Sequence, residues 1–115
     1  MAECLFCKVV AGEIPARIVS RTDDAVAFHD IDPKAPVHVL VIPTRHVPAV
    51  RAAAGPEGEQ LLGRLLAFSA EVATGLGLDA RGYRIVTNTG PDAGQSVDHL
   101  HLHVLGGRHL SWPPG

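Results

Sequence analysis

The segment His99-Leu100-His101-Leu102-His103-Val104-Leu105 alternates histidine with apolar residues over its first six positions. Alternate side chains of a β-strand point to the same face, so this pattern predicts a strand with three imidazoles on one face. The apolar side chains between them then form the opposite face, which can pack beneath a helix. We expect this strand to span residues 97–105, with Gly106 and Gly107 ending it.

Three imidazoles on one strand face have two chemical uses. They can share a metal ion, since their nitrogens can converge at about 2.1 Å from zinc. Alternatively, one imidazole is a nucleophile, while its neighbours set its tautomer and protonate the leaving group. A third interpretation, a surface strand with its polar side chains in water, is disfavoured by the strict alternation. The residues alone leave the first two uses open.

The rest of the chain predicts an α+β fold with a mainly antiparallel five-stranded sheet, one long helix and a short N-terminal helix. The long helix follows Gly55-Pro56, where apolar residues step by four and three positions along one helical face. These residues are Leu61, Leu65, Phe68, Val72 and Leu76. The other expected elements are a short helix over residues 4–12 and strands over residues 16–21, 25–29, 37–42 and 83–87.

Composition limits the possible functions. The chain has 115 residues, 46% of them apolar and 19% charged, which predicts one globular domain spanning residues 1–115. A net charge of −2 gives no basic surface, so we expect no nucleic-acid partner. The N-terminus has no basic stretch followed by an apolar run, and no apolar segment is long enough to span a membrane. We therefore expect a cytoplasmic protein with no membrane partner.

The histidine segment fits the signature His-φ-His-φ-His-φ-φ, with φ apolar, and here the chain resembles the histidine triad superfamily. Other segments resemble its Hint branch, namely residues 13–16, 27–31, 35–36, 40–43, 94–97, 106–108 and 112–115. The resemblance implies a hydrolase of purine nucleoside 5′-phosphoramidates, such as adenosine 5′-phosphoramidate, and of aminoacyl-adenylates. It would release a nucleoside monophosphate and an amine through a nucleotidyl-histidine intermediate.

The resemblance also implies a role for each residue that acts on the phosphate. His101 would be the nucleophile, and His103 and His38 would orient it and bind phosphate oxygens. Ser96 would assist departure of the amine. Backbone amides of the loop Gly94-Gln95-Ser96 are expected to hold phosphate oxygens. Asn88 is either a further polar contact or a residue that caps the loop backbone.

The nucleoside would be held by a carboxylate and an apolar pocket. Asp30 matches the ribose anchor of the family, since a carboxylate can accept hydrogen bonds from two vicinal hydroxyls. The resemblance implies that six apolar residues surround the purine, and without it they would be ordinary core residues. They are Leu5, Phe6, Val9, Phe28, Ile31 and Leu40.

The Cys4-Leu5-Phe6-Cys7 segment is a C-x-x-C pair, which by itself fits a redox motif, half of a zinc site, or two free thiols. Some bacterial relatives in the superfamily bind structural zinc through such a pair and two histidines. The matching histidines here are His46 and His99. A closed Cys₂His₂ set is structural, so the resemblance implies a structural Zn²⁺ and no metal required for catalysis.

The wide apolar stripe of the long helix, together with the family habit, implies a homodimer whose Trp112 tail reaches the partner's site. Two alternatives to the phosphoramidase remain. One is a metal-dependent hydrolase with His99, His101 and His103 as its ligands, and the other is a nucleotide-binding regulatory protein. The sequence assigns no role to His29 or His109.

Overall fold

The computed structural model describes residues 4–115, and its centre is a five-stranded antiparallel sheet in the order β1-β2-β3-β5-β4. The strands are β1 (Ile18–Arg21), β2 (Ala25–His29), β3 (Val37–Pro43), β4 (Tyr83–Val86) and β5 (Leu102–Gly106). Two α-helices accompany the sheet. This architecture confirms the predicted α+β class with a five-stranded antiparallel sheet and two helices.

Both helices begin near the residues that their sequences predict, and the short helix also ends where expected. Helix α1 (Leu5–Ala11) is preceded by Cys4, whose Sγ accepts a hydrogen bond from the backbone N–H of Cys7 at 3.3 Å. It ends at Gly12, whose φ of 75° lies in the left-handed region that favours glycine. Helix α2 (Gly55–Gly75) has proline in its first turn, and a 3₁₀ turn (Val50–Ala52) precedes it.

The two helices lie on opposite faces of the sheet because the sheet residues alternate. On β3, Val39 and Val41 join the larger core with α2, whereas Leu40 and Ile42 join the smaller core with α1. The α2 residues Leu61, Leu65, Phe68 and Val72 are buried, as their spacing predicts. Helix α1 contributes Phe6 and Val9 to the smaller core, which also contains Val26 and Phe28 of β2.

The last strand is shorter than its sequence pattern predicts, and residues 97–101 are irregular. Val41 of β3 pairs with Leu102, so the next pair on this face would place Pro43 opposite Leu100. Proline has no N–H to donate, and the ladder between β3 and β5 stops there. The N–H of Leu100 instead donates to the carbonyl of Val47 at 2.6 Å. The prediction of a strand over residues 97–105 was therefore wrong for its first five residues.

The remaining boundaries lie within two residues of those predicted. Strand β2 spans the residues predicted for it, and β1 starts two residues later than expected. Among residues 4–115, no helix combines the length and the apolar character that a membrane span requires.

Candidate active site

A cavity of about 300 Å³ lies between α1 and the face of the sheet that α1 covers. Most of the residues predicted to bind a nucleotide border it. They are Leu5, Phe6, Val9, Phe28, Asp30, Ile31, Leu40, Ser96, His101 and His103. Its wall is largely apolar, with the polar groups of Asp30, Ser96 and three histidines, His29, His101 and His103, added to it. Pockets of this character are typical of small-molecule sites.

His101 immediately precedes β5, is only 4% exposed and borders the cavity. Its Nδ1 lies 2.7 Å from the backbone carbonyl oxygen of His99. Because a carbonyl oxygen only accepts, Nδ1 carries the proton and Nε2 of the neutral ring has a free lone pair. The ring also lies edge-on to Phe6, at a centroid distance of 5.1 Å. His101 is therefore held in the tautomer that a nucleophilic imidazole needs.

A second chain of contacts joins Asp30, His38 and His103, which we call the carboxylate cluster. The backbone N–H of Lys34 donates to Nδ1 of His38 at 3.0 Å, so the proton of the neutral His38 ring is on Nε2. That Nε2 lies 2.9 Å from Nδ1 of His103 and 3.4 Å from a carboxylate oxygen of Asp30. With Nδ1 of His103 accepting from His38, the proton of His103 is on its Nε2.

Burial keeps the histidines of the carboxylate cluster neutral near pH 7. It lowers the pKa of His103 to about 4, and the nearby rings of His101 and His38 act in the same direction. Burial also lowers the pKa of His38, although the charge of Asp30 opposes the effect. A neutral His103 can donate a hydrogen bond from Nε2 without placing a second positive charge beside His101.

The loop from Gly90 to Val97 is ordered by the side chain of Gln95. Its amide nitrogen donates to the carbonyls of Pro48, at 2.7 Å, and Val97, and its amide oxygen accepts from the N–H of Gly90. The N–H groups of Gly94 and Gln95 donate to carbonyls within the same loop, at 3.1 Å each. Two of the three amides predicted to hold phosphate are thus engaged, and the loop instead presents Ser96 to the cavity.

Three predicted nucleotide contacts lie outside the cavity wall. Gly94, Gln95 and Asn88 are not among the described residues that border the cavity. Asn88 is half-buried in the segment that follows β4. His38 also does not border the cavity, and it contacts the cavity wall through His103.

Cys4, Cys7, His46 and His99 form a second group, which we call the thiol cluster, and their ligand atoms all lie within 4.8 Å of one another. Nδ1 of His99 is 3.3 Å from Sγ of Cys4 and 3.6 Å from Sγ of Cys7, and Nδ1 of His46 is 3.4 Å from Sγ of Cys7. In tetrahedral zinc coordination, neighbouring sulfur and nitrogen ligands are about 3.6 Å apart. These four residues therefore have the chemistry and spacing of a Cys₂His₂ zinc site.

The outer contacts of the thiol cluster also fit a metal ion. Nε2 of the fully buried His99 lies 3.0 Å from the carbonyl oxygen of Pro43, so Nε2 carries the proton and the Nδ1 lone pair faces the sulfurs. Burial lowers the pKa of His99 and keeps it in the neutral form that binds metals. Burial and the hydrogen bond with Cys4 raise the pKa of the Cys7 thiol, an effect that a bound cation opposes.

The geometry disagrees with a metal ion held jointly by His99, His101 and His103. Nδ1 of His99 faces the cysteines, and its Nε2 is bonded to Pro43. Nδ1 of His101 donates to a carbonyl, so these rings do not converge on a common point. A water-facing polar strand is also wrong, since His99 is 0% and His101 is 4% exposed.

Several cavity residues have no predicted role in the sequence analysis. His29, at the end of β2, borders the cavity beside Asp30, and so do Val97 and the segment from Ile14 to Ala16. The signal for His29 is its position directly before Asp30. The signal for residues 14–16 is the Ile-Pro-Ala motif, which returns the chain from α1 to the sheet.

Comparison with known proteins agrees with this geometry. Residues 11–110 match the HIT domain family. A HIT-like protein of Synechocystis sp. is 52% identical over the full length of both chains. The crystal structure of a HIT family hydrolase from Legionella pneumophila is 43% identical, with a TM-score of 0.94, covering 98% of this chain and 100% of that one.

A histidine triad nucleotide-binding protein from Candida albicans is 32% identical, with a TM-score of 0.82, over 96% of this chain and 83% of that one. Matches of this extent include both the histidine segment and the sheet that supports it. The chain therefore belongs to the HIT domain family.

Proposed function

We propose that this protein is a Hint-branch hydrolase, with residues 1–115 as a single domain, that cleaves purine nucleoside 5′-phosphoramidates and aminoacyl-adenylates. The products are a nucleoside monophosphate and the displaced group, which is an amine for the phosphoramidates. The observation on which the proposal rests is the tautomer of His101. The 2.7 Å contact between its Nδ1 and the carbonyl of His99 selects the Nδ1–H tautomer of the neutral ring, in which Nε2 has a free lone pair, and the ring borders the cavity.

In the first step, Nε2 of His101 attacks phosphorus and the P–N bond breaks, while the departing nitrogen takes a proton from solvent, relayed through the hydroxyl of Ser96. The imidazole becomes positively charged while it is bonded to phosphorus, and the carbonyl of His99 stabilises its Nδ1–H. Ser96 borders the cavity and supports departure of the amine through its hydroxyl. Water then attacks phosphorus, which releases the nucleoside monophosphate and regenerates the neutral His101.

The carboxylate cluster supplies a fixed hydrogen-bond donor for the phosphate. The contacts from Lys34 to His38 and from His38 to His103 direct the remaining proton of His103 onto Nε2. We assign that N–H to a non-bridging phosphate oxygen, where negative charge is present throughout the reaction. One oxygen of Asp30 accepts from the N–H of Asp32 at 2.8 Å, which fixes the carboxylate for the ribose hydroxyls.

The apolar wall supports a purine as the base. Phe6 and Phe28 lie edge-to-face at 5.6 Å in the inner part of the cavity, and Ile31 is fully exposed at its mouth. A flat aromatic base inserted between them would cover apolar surface that water now contacts. The similarity to a nucleotide-binding protein from Candida albicans supports a nucleotide as the ligand.

We further propose that the thiol cluster holds a structural Zn²⁺ through Cys4, Cys7, His46 and His99, the set whose spacing fits tetrahedral coordination. When bound there, the ion would supply structural cohesion and no chemistry at phosphorus, because all four positions around it are taken by protein ligands. The four residues tie the start of α1 to the segments that follow β3 and precede β5.

A homodimer is also part of the proposal. Leu66 on α2 is 54% exposed and Trp112 in the tail is 82% exposed, while β4 forms one edge of the sheet. Pairing of two copies through α2 and β4 would cover this apolar surface and would bring the tail towards the partner's site. Light scattering after gel filtration would then give twice the chain mass of 12.1 kDa. A mass of one chain would reject the dimer.

The deciding experiment is hydrolysis of adenosine 5′-phosphoramidate by wild type, His101→Ala and His109→Ala, each with and without a chelator. We expect His101→Ala to lose about 1000-fold or more in kcat. His109→Ala is the matched control, because this exposed histidine lies in the tail outside the cavity, and its rate should equal that of wild type.

Two results would contradict the proposed mechanism. If the folded wild type binds AMP tightly but does not turn over, the protein is the nucleotide-binding regulator instead. The second result is a folded wild type that loses hydrolysis with the chelator, together with added Zn²⁺ that supports hydrolysis by both wild type and His101→Ala. The reaction would then depend on the metal and would not need His101 as a nucleophile.

A further inference from the structure

The thiol cluster and the nucleophile share one residue. The ring of His99 presents Nδ1 to Cys4 at 3.3 Å, and its backbone carbonyl accepts the hydrogen bond from Nδ1 of His101 at 2.7 Å. The ring and the carbonyl belong to the same residue of an irregular segment, which has no strand ladder to hold it. If the ring of His99 moves and its backbone rotates with it, the carbonyl that fixes the tautomer of His101 therefore moves as well.

Helix α1 provides a second link between the two centres. Phe6 lies between Cys4 and Cys7 in the sequence, and its ring meets both His99, at 5.9 Å, and His101, at 5.1 Å. The same helix supplies the cavity wall through Leu5, Phe6 and Val9. With seven residues, α1 is too short to be stable by itself, so its position depends on what it is attached to.

We propose that a metal ion in the thiol cluster positions the nucleophile and shapes the nucleotide cavity, with His99 and Phe6 as the positioning residues. The effect on hydrolysis rests on the proposed function, whereas the coupling between the two centres rests on the contacts that they share. With the four ligands tied together, α1 and the carbonyl of His99 have one arrangement. With the ligands released, His101 loses its fixed acceptor and populates both neutral tautomers, one of which has Nε2 protonated and unable to attack.

The larger core is built without the residues of the thiol cluster. Among the described residues, the larger core between α2 and the sheet contains no residue of α1 and none of the cluster's four ligands. Removal of the metal should therefore loosen α1 and the segment before β5 while the sheet and α2 stay folded. Because the two cores are separate, we expect the metal to affect the nucleotide cavity and His101 without unfolding the whole domain.

The test compares zinc-loaded protein with protein stripped by a chelator under reducing conditions, with metal content measured on both. Long-range ¹H–¹⁵N NMR of the histidine-labelled protein reports the tautomer of His101, and titration with AMP reports the affinity of the cavity. We expect a single Nδ1–H tautomer in the loaded protein and a mixture after stripping, with an AMP affinity about 10-fold weaker or more. Circular dichroism should show that most helix remains.

Variants separate positioning from a general loss of structure. Cys7→Ser should reproduce the stripped state. His46→Cys keeps four metal ligands and should retain the single tautomer and the AMP affinity of the loaded wild type. Lys8→Ala, on α1 but outside both the cluster and the cavity wall, is the matched control and should behave as wild type.

The proposal is overturned if complete metal removal leaves both the His101 tautomer and the AMP affinity unchanged, or if the chain takes up no metal. Hydrolysis of adenosine 5′-phosphoramidate by the loaded protein tests the proposed function separately. A loaded protein that does not hydrolyse it, but whose tautomer and affinity still follow the metal, supports the positioning and rejects only the phosphoramidase.

Discussion

The thiol cluster and the carboxylate cluster both gather histidines around a small space, but their outer hydrogen bonds have opposite polarity. In the thiol cluster, Nε2 of His99 donates outward to the carbonyl of Pro43, so a lone pair points inward. In the carboxylate cluster, Nδ1 of His38 accepts from the N–H of Lys34, so a proton points inward. An inward lone pair suits a cation, and an inward proton suits a hydrogen-bond chain.

Ligand type and spacing are therefore insufficient to assign a metal site. Asp30, His38 and His103 also place their ligand atoms within 4.8 Å of one another. A metal on Nε2 of His38 would require Nδ1 to carry the proton, which would then face the N–H of Lys34. The outer partner of each imidazole therefore separates a metal centre from a proton-relay chain.

The largest expected effect comes from removing the thiols. Wild type should contain about one zinc ion per chain, and Cys4→Ser with Cys7→Ser should contain none. Loss of a tightly bound ion should lower the free energy of unfolding by about 4 kcal/mol at saturating zinc, measured by thermal or denaturant unfolding. The matched variant in the other cluster, Asp30→Asn, should keep the ion. If wild type bound a second ion that Asp30→Asn did not bind, the carboxylate cluster would also be a metal site.

The next effect concerns the end of the hydrogen-bond chain. His103→Leu removes the N–H assigned to the phosphate and should lower kcat for adenosine 5′-phosphoramidate by about 100-fold, with zinc content unchanged. His38→Gln, one step further from the cavity, should cost less. If His103→Leu instead lost zinc and kept its rate, His103 would belong to the metal centre.

A pH experiment tests the protonation states in the carboxylate cluster. The folded pKa of His103 is about 4, below its ordinary value of 6.5, so the unfolded chain binds the proton first as the pH falls. Protonation of His103 then leaves the free energy of unfolding unchanged above about pH 7. It decreases that free energy between pH 6.5 and 4, by on the order of 2 kcal/mol. His38 acts in the same direction.

The control for this experiment is His103→Gln, which retains the whole thiol cluster. Any effect of zinc release at low pH is then common to both proteins, and their difference isolates His103. Equal pH profiles for the two would show that His103 takes up its proton at an ordinary pKa.

Much of the fold could be predicted from local patterns. The apolar spacing of α2 and the β-branched residues of β3 depend on neighbours in the chain, and both elements formed as expected. The start of β5 could not be predicted, because it depends on which residue of another strand lies opposite. Pro43 interrupts the ladder only through the register of β3 against β5, which the histidine pattern does not contain.

The candidate site shows the same division. The alternation of His101 and His103 with leucines predicts their common side of the sheet, and both border the cavity. The part played by Gln95 was not predictable, because its amide spans to Pro48, 47 positions away in the sequence. His29 was missed, although its position directly before Asp30 was a signal, because that position alone does not distinguish a cavity histidine from a surface one.

The smallest expected effect concerns Asp30, which faces both the cavity and His38. If the carboxylate binds the ribose hydroxyls, wild type should prefer adenosine 5′-phosphoramidate to its 2′-deoxy analogue by about 10-fold in kcat/KM. Asp30→Asn should reduce that ratio towards one, because an amide replaces one acceptor with a donor. The ratio cancels any damage to His38, since both substrates react through the same chain. A wild-type ratio near one, or a ratio unchanged in Asp30→Asn, would confine Asp30 to orienting His38.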